Sequence, residues 1–103
     1  MYAYAFTRFE ADRTHMLGNP NAYDLDVIAR DIMNEGIEYE GTPAYEDAKS
    51  VFIELTMSCD EIEAAQWMNH WMLNAIAYRG IEDNWKAFYM AAYDIQQMTL
   101  STI

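Results

Sequence analysis

A chain of 103 residues with a formal net charge of −11 and 52% hydrophobic residues has the apolar content of one folded domain, residues 1–103, and not of an acidic disordered tail. Six basic residues, scattered from Arg8 to Lys86, make none of the Lys/Arg clusters that a nucleic-acid backbone or an anionic membrane surface requires. Partners chosen by charge are therefore expected to be basic proteins, with no direct nucleic acid and no membrane.

Cys59 is the only cysteine, which rules out an intrachain disulfide and fits a reducing cytosol. The first eight residues carry no basic region followed by a long apolar run, so no signal peptide is read there. No segment reaches the roughly 18 uninterrupted apolar residues of a membrane span. The expected location is cytoplasmic.

Breakers at Gly18-Asn19-Pro20-Asn21, Gly36, Gly41-Thr42-Pro43 and Gly80 divide the chain into pieces of helical length. The first piece, residues 2–17, places Tyr2, Ala5, Phe6, Phe9, Arg13 and Met16 at helical spacing. It also alternates as Tyr2, Tyr4 and Phe6 against Ala3, Ala5 and Thr7, the spacing of a strand. Helix is the preferred reading. The second piece, about 23–35, sets Leu25, Ile28, Ala29, Ile32 and Met33 on one helical face, with Asp24, Asp31 and Glu35 on another. Gly36 follows where a helix end favours a left-handed residue.

The third piece opens on Thr42-Pro43, a capping residue followed by proline at the first helical position. Glu46 and Asp47 suit the positive end of the helix dipole. Ala44, Ala48, Val51, Phe52 and Leu55 form its apolar stripe, while Val51, Ile53, Leu55 and Met57 would share one face of a strand. The fourth piece begins at Ser58-Cys59-Asp60-Glu61, read as a capping box with Ser58 as cap, and ends at Gly80. It carries two apolar stripes: Ile62, Ala65, Met68, Met72, Ile76; and Ala64, Trp67, Trp71, Ala75, Tyr78. A third stripe, Glu63, Gln66, His70 and Asn74, is polar. Two stripes exceed what a single neighbouring helix would bury, so this is either the central helix or one that offers Trp67 and Trp71 to a partner. The fifth piece, about 83–98, has Trp85, Phe88, Ala92 and Ile95 as core stripe, flanked by Tyr89 and Tyr93.

The expected fold is all-α, a single compact domain of four or five helices. The alternative is α+β, with strands near 2–9 and 51–57 packed on the two C-terminal helices.

No catalytic, cofactor or metal constellation emerges. Cys59 stands at a helix start, which can lower a thiol pKa, but Asp60 and Glu61 oppose that. His70, eleven residues further along the same helix, is about 16 Å away, too far for a Cys–His pair. His15 and His70 lack the paired ligand motifs of metal sites. Gly-rich phosphate loops, calcium loops and serine-nucleophile elbows are missing.

What stands out is the distribution of charge. Twelve acids against Arg30 and Lys49 give a net −10 between Asp24 and Glu63, and such runs ordinarily keep a small domain soluble. The sharper reading is nucleic-acid mimicry. A carboxylate on every helical turn recurs at about 5.4 Å, comparable in scale to the roughly 3.4 Å axial step between phosphates on one DNA strand. Asp24, Asp31, Glu35 and Glu38 approximate such a row, and Glu46, Asp47 and Glu54 extend it, while Arg30 can pair with Asp26 one turn back. The expected function is a non-enzymatic acidic module that inhibits a nucleic-acid-binding protein by occupying its basic groove. Small acidic proteins of phages and mobile elements that block restriction or CRISPR complexes are analogous in composition alone. The alternative is a structural or assembly subunit that joins a homo-oligomer or complex through Trp67, Trp71, Tyr78, Tyr89 and Tyr93, since Trp, Tyr and Met are enriched at interface cores.

Overall fold

The computed structural model describes residues 22–101. The expected helix or strand at the N-terminus, including His15, lies outside the described residues. Four helices follow in order: α1 (Ala22–Asn34), α2 (Pro43–Thr56), α3 (Glu61–Ala77) and α4 (Trp85–Leu100). There is no strand among the described residues, so the fold is all-α and the rival strand at 51–57 is corrected to helix. Its alternation of Val51, Ile53, Leu55 and Met57 leaves Ile53 and Met57 exposed, whereas Ala48 and Phe52, one turn apart, are buried.

Local chemistry sets the helix ends. After α1 the chain turns at Gly36, whose φ of 77° is the left-handed value that L side chains avoid. A Cβ built there meets nothing within 4 Å, so the barrier to substitution is conformational and not steric. Gly36→Ala should therefore destabilise the fold by about 1–2 kcal/mol, the cost of a left-handed non-glycine residue. A denaturant midpoint equal to that of the unaltered protein would show the turn to be adaptable.

At α2, Thr42 Oγ1 accepts the Tyr45 N–H at 3.4 Å and donates to the Tyr39 carbonyl at 2.6 Å. The Glu46 carboxylate reaches back to accept the Gly41 N–H at 3.0 Å. The cap of α3 differs from expectation: it is Asp60, whose carboxylate accepts the Glu63 N–H at 2.8 Å. Asp60-Glu61-Ile62-Glu63 has the capping-box spacing too. An ionised Asp accepts the orphan N–H more strongly than a serine hydroxyl does, and Ser58 stays in the preceding turn.

The last helix organises the domain. α4 makes its most extensive contacts with α3 and then α2, and also touches α1. Ala87, Ala91 and Ala92 are buried along it, short side chains that let neighbouring helices approach closely. Polar side chains then tie α4 to each partner. Tyr89 donates to the Leu25 carbonyl of α1 at 2.5 Å, and Tyr93 to Asp26 at 3.2 Å. Tyr45 of α2 donates to Asp94 at 2.5 Å. Gln96 donates to the Ala65 carbonyl at 2.8 Å and to Asn69 at 2.6 Å, both on α3. The core between these ties holds Leu25, Ile32, Tyr45, Phe52, Met68, Trp71, Met72, Tyr89 and Ile95.

Burial on α3 departs from the stripes read in sequence. His70 and Asn74, assigned to the polar stripe, are buried, while Ile62, assigned to an apolar one, is 63% exposed. α3 is thus buried over more of its circumference than expected toward its C-terminal half, and less at its first turn.

Candidate acidic interface and cleft

The acidic residues singled out in sequence collect around the α1–α2 connection. Asp31 near the end of α1, Glu38 in the connection, and Glu46 and Asp47 in the first turns of α2 are exposed. Asp24 lies on α1, and its side chain is outside the described set. Glu35 is exposed but not free, because both of its oxygens accept from Lys86 of α4, at 2.6 and 2.9 Å. That bond holds the Lys86 ammonium above its ordinary pKa and places a cation within the acidic row. Glu46 caps Gly41 and keeps its charge at the surface. Arg30 pairs with Asp26 at 2.8 Å, one turn back, as its spacing predicts.

The aromatic residues divide. Trp71 and Tyr89 are 4% and 0% exposed and belong to the core, which corrects their assignment to an association surface. Tyr89 is buried because it spans from α4 to α1 with its hydroxyl on a backbone carbonyl. Trp71 is buried because its ring packs on Phe52 of α2, with centroids 5.0 Å apart. Trp67, Tyr78 and Tyr93 are partly buried, and the Tyr93 hydroxyl is committed to Asp26.

Open clefts lie between the helices of the described residues. One, of about 320 Å³, runs between α3 and α4 and is bounded by Ile62, Ala65, Gln66, Asn69, Gln96 and Leu100, with Leu25, Asp26, Tyr93 and Gln97 completing it. Its single carboxylate, Asp26, is already paired with Arg30 and Tyr93. Another, of about 290 Å³, lies beneath the α1–α2 connection. Ile32, Met33, Ile37 and Met90 supply apolar walls, Tyr39 and Tyr45 supply rings, and Glu38, Glu40 and Asp94 supply three carboxylates, with no basic residue among the described residues of the lining.

Tyr45, Asp94 and Glu40 were not among the site residues expected from sequence. One signal was visible: Asp94 is the only acid in α4, a helix that is otherwise uncharged apart from Lys86. Burial, followed by the bond to Asp94 and that carboxylate's charge, pushes the Tyr45 phenol well above its ordinary range. Tyr45 thus remains the donor and Asp94 the anion.

Elsewhere the titratable groups offer less chemistry. The Cys59 thiol is pushed up, first by burial and then by Glu63 and Asp60, and lies against the Leu55 carbonyl at 4.0 Å, the opposite of nucleophile activation. His70 is buried further along α3. Among the described residues, no group of three or more His, Cys, Asp or Glu side chains could hold a metal ion. None of their helices is long and apolar enough to cross a membrane.

The chain matches no family model, no curated protein and no solved structure.

Proposed function

We propose that this protein is a non-enzymatic binding module that inhibits a basic, nucleic-acid-binding partner by presenting carboxylates to its groove. The observation that carries the reading is the cluster of exposed acids around one connection: Asp31, Glu38, Glu40, Glu46 and Asp47, with Glu35 alone neutralised by a lysine from another helix. Like charges gathered this closely repel one another and oppose compaction, a cost that a cationic partner would relieve. The reading is supported by this electrostatic argument.

The test begins with a partner captured from the native host, then measures its affinity for the protein and for the variant Asp31→Asn, Glu38→Gln, Glu46→Gln, Asp47→Asn. Gln at position 46 retains an acceptor for Gly41, and Glu35 is left intact so that its strut to Lys86 survives. The variant should bind at least about fourfold more weakly, since four exposed pairs at about 0.2–1 kcal/mol each are removed. Binding should also weaken with added salt, because exposed charges are screened beyond about 8–10 Å at physiological ionic strength. DNA or RNA should compete for the partner. A partner that holds nucleic acid and this protein together, or an unchanged affinity, would reduce the acidic face to solvation.

A further inference from the structure

We propose that the cleft beneath the α1–α2 connection receives one arginine side chain of the basic partner, so that the acidic face has a specific anchor within a diffuse field. This rests on the reading of the protein as an acidic module for a basic partner. The walls and the rim ask for different parts of one guest. Ile32, Met33, Ile37 and Met90 offer apolar surface to an aliphatic stem, while Glu38, Glu40 and Asp94 offer negative charge to its head. At about 290 Å³, the cleft falls at the lower limit of pockets that enclose whole small molecules, and suits a single long side chain.

Among the described residues, no cation of the protein fills this role: Arg30 is paired with Asp26 and Arg79 is not among the residues lining the cleft. Lys86 is held by Glu35. Lys49 sits 5.8 Å from the Tyr45 ring centroid and is not among the residues lining the cleft. Asp94 has one oxygen fixed by the Tyr45 hydroxyl, so its carboxylate is oriented before any guest arrives. Arginine is favoured over lysine on two grounds. A guanidinium is more weakly hydrated than an ammonium and loses less on entering a partly apolar cleft. Its plane can also stack on the partly exposed ring of Tyr39 while it donates to carboxylates, which a point-like ammonium does less well.

The test titrates the isotope-labelled protein with the blocked peptide acetyl-Gly-Gly-Arg-Gly-Gly-amide, and with its lysine counterpart, following backbone amide shifts. The expected result is saturable shifts centred on Ile37, Tyr39, Tyr45, Met90 and Asp94, with the arginine peptide bound several-fold more tightly. Two variants of equal charge separate the cleft from the field. Glu38→Gln with Glu40→Gln should weaken the arginine peptide by about fivefold or more. Asp31→Asn with Asp47→Asn, outside the cleft, should change it by less than about twofold. Equal losses from the two pairs, equal binding of the two peptides, or shifts spread over the whole acidic face would each overturn the anchor. None of those results would touch the proposed function, which stands or falls on competition with nucleic acid for the captured partner.

Discussion

Trp71→Ala should lower the free energy of unfolding by about 3–5 kcal/mol, the range for truncating a buried aromatic side chain. At 4% exposed, the indole is inside the domain, and its contact with Phe52 at 5.0 Å is a ring pair across the small interface between α2 and α3. Both of those helices lean mainly on α4, so a cavity at this point loosens their direct contact, which little else supports. Domains of this size are stable by only about 5–15 kcal/mol. Each kcal/mol corresponds to about 4–8 °C in the melting temperature. The variant is thus expected to melt at least about 12 °C lower, with an unchanged denaturant slope. Trp71→Phe, which keeps a ring against Phe52, should recover much of the loss. A Trp71→Ala protein with wild-type melting temperature and weakened self-association would instead restore this residue to an interface.

Alkaline pH should unfold the protein steeply from about pH 10, where a free tyrosine begins to ionise. Tyr89, fully buried, and Tyr45, 2% exposed, both have phenols pushed well above their ordinary range, chiefly by burial. For Tyr45 the bond to Asp94 adds to this, and for Tyr89 the neighbouring Tyr93 and Asp26 do. The sign follows from proton counting. Below pH 10 both the folded and unfolded chains keep these protons, and the stability is fully present. Above pH 10 the unfolded chain releases them while the folded one does not, so stability falls as pH rises toward the folded values. Each tyrosine contributes about 1.4 kcal/mol per pH unit in that window. Two of them would remove about 5 kcal/mol by pH 12, which is comparable to the whole margin. Ultraviolet titration should show some phenols ionising near pH 10 and others only together with the loss of helical circular dichroism. Tyr45→Phe with Tyr89→Phe should flatten the alkaline decline, even if the variant is less stable at neutral pH. Ionisation of every tyrosine near pH 10 with the helices intact would show that Tyr45 and Tyr89 are open to solvent.

These two expectations depend on burial, and burial separates what the chain discloses locally from what it does not. Helix α2 was legible from Thr42-Pro43 and its stripe of Ala48 and Phe52, and the end of α1 from Gly36, because caps and left-handed turns are decided by neighbouring residues. The pairing of Arg30 with Asp26 was legible for the same reason. The start of α3 was not, since Ser58-x-x-Glu61 and Asp60-x-x-Glu63 both meet the local rule, and the choice fell to Asp60.

Acidity around the α1–α2 connection is a property of the sequence by itself: the carboxylates are close in the chain, so they remain close in any compact fold. The aromatic half is different. Helical spacing put Trp67, Trp71 and Tyr78 on one stripe, yet Trp71 is core and the other two are partly covered, because coverage depends on where the neighbouring helices lie and not on α3's own period. His70 and Asn74 were read as solvated for want of the same information. The cleft is the clearest case. Glu38 and Glu40 come from the connection, Tyr45 from α2, and Met90 and Asp94 from α4, some fifty positions further on. Only the packing of α4 against both α1 and α2 brings them to one wall, since contacts of that chain separation are selected by the burial of the whole core and leave no periodic trace in any one segment.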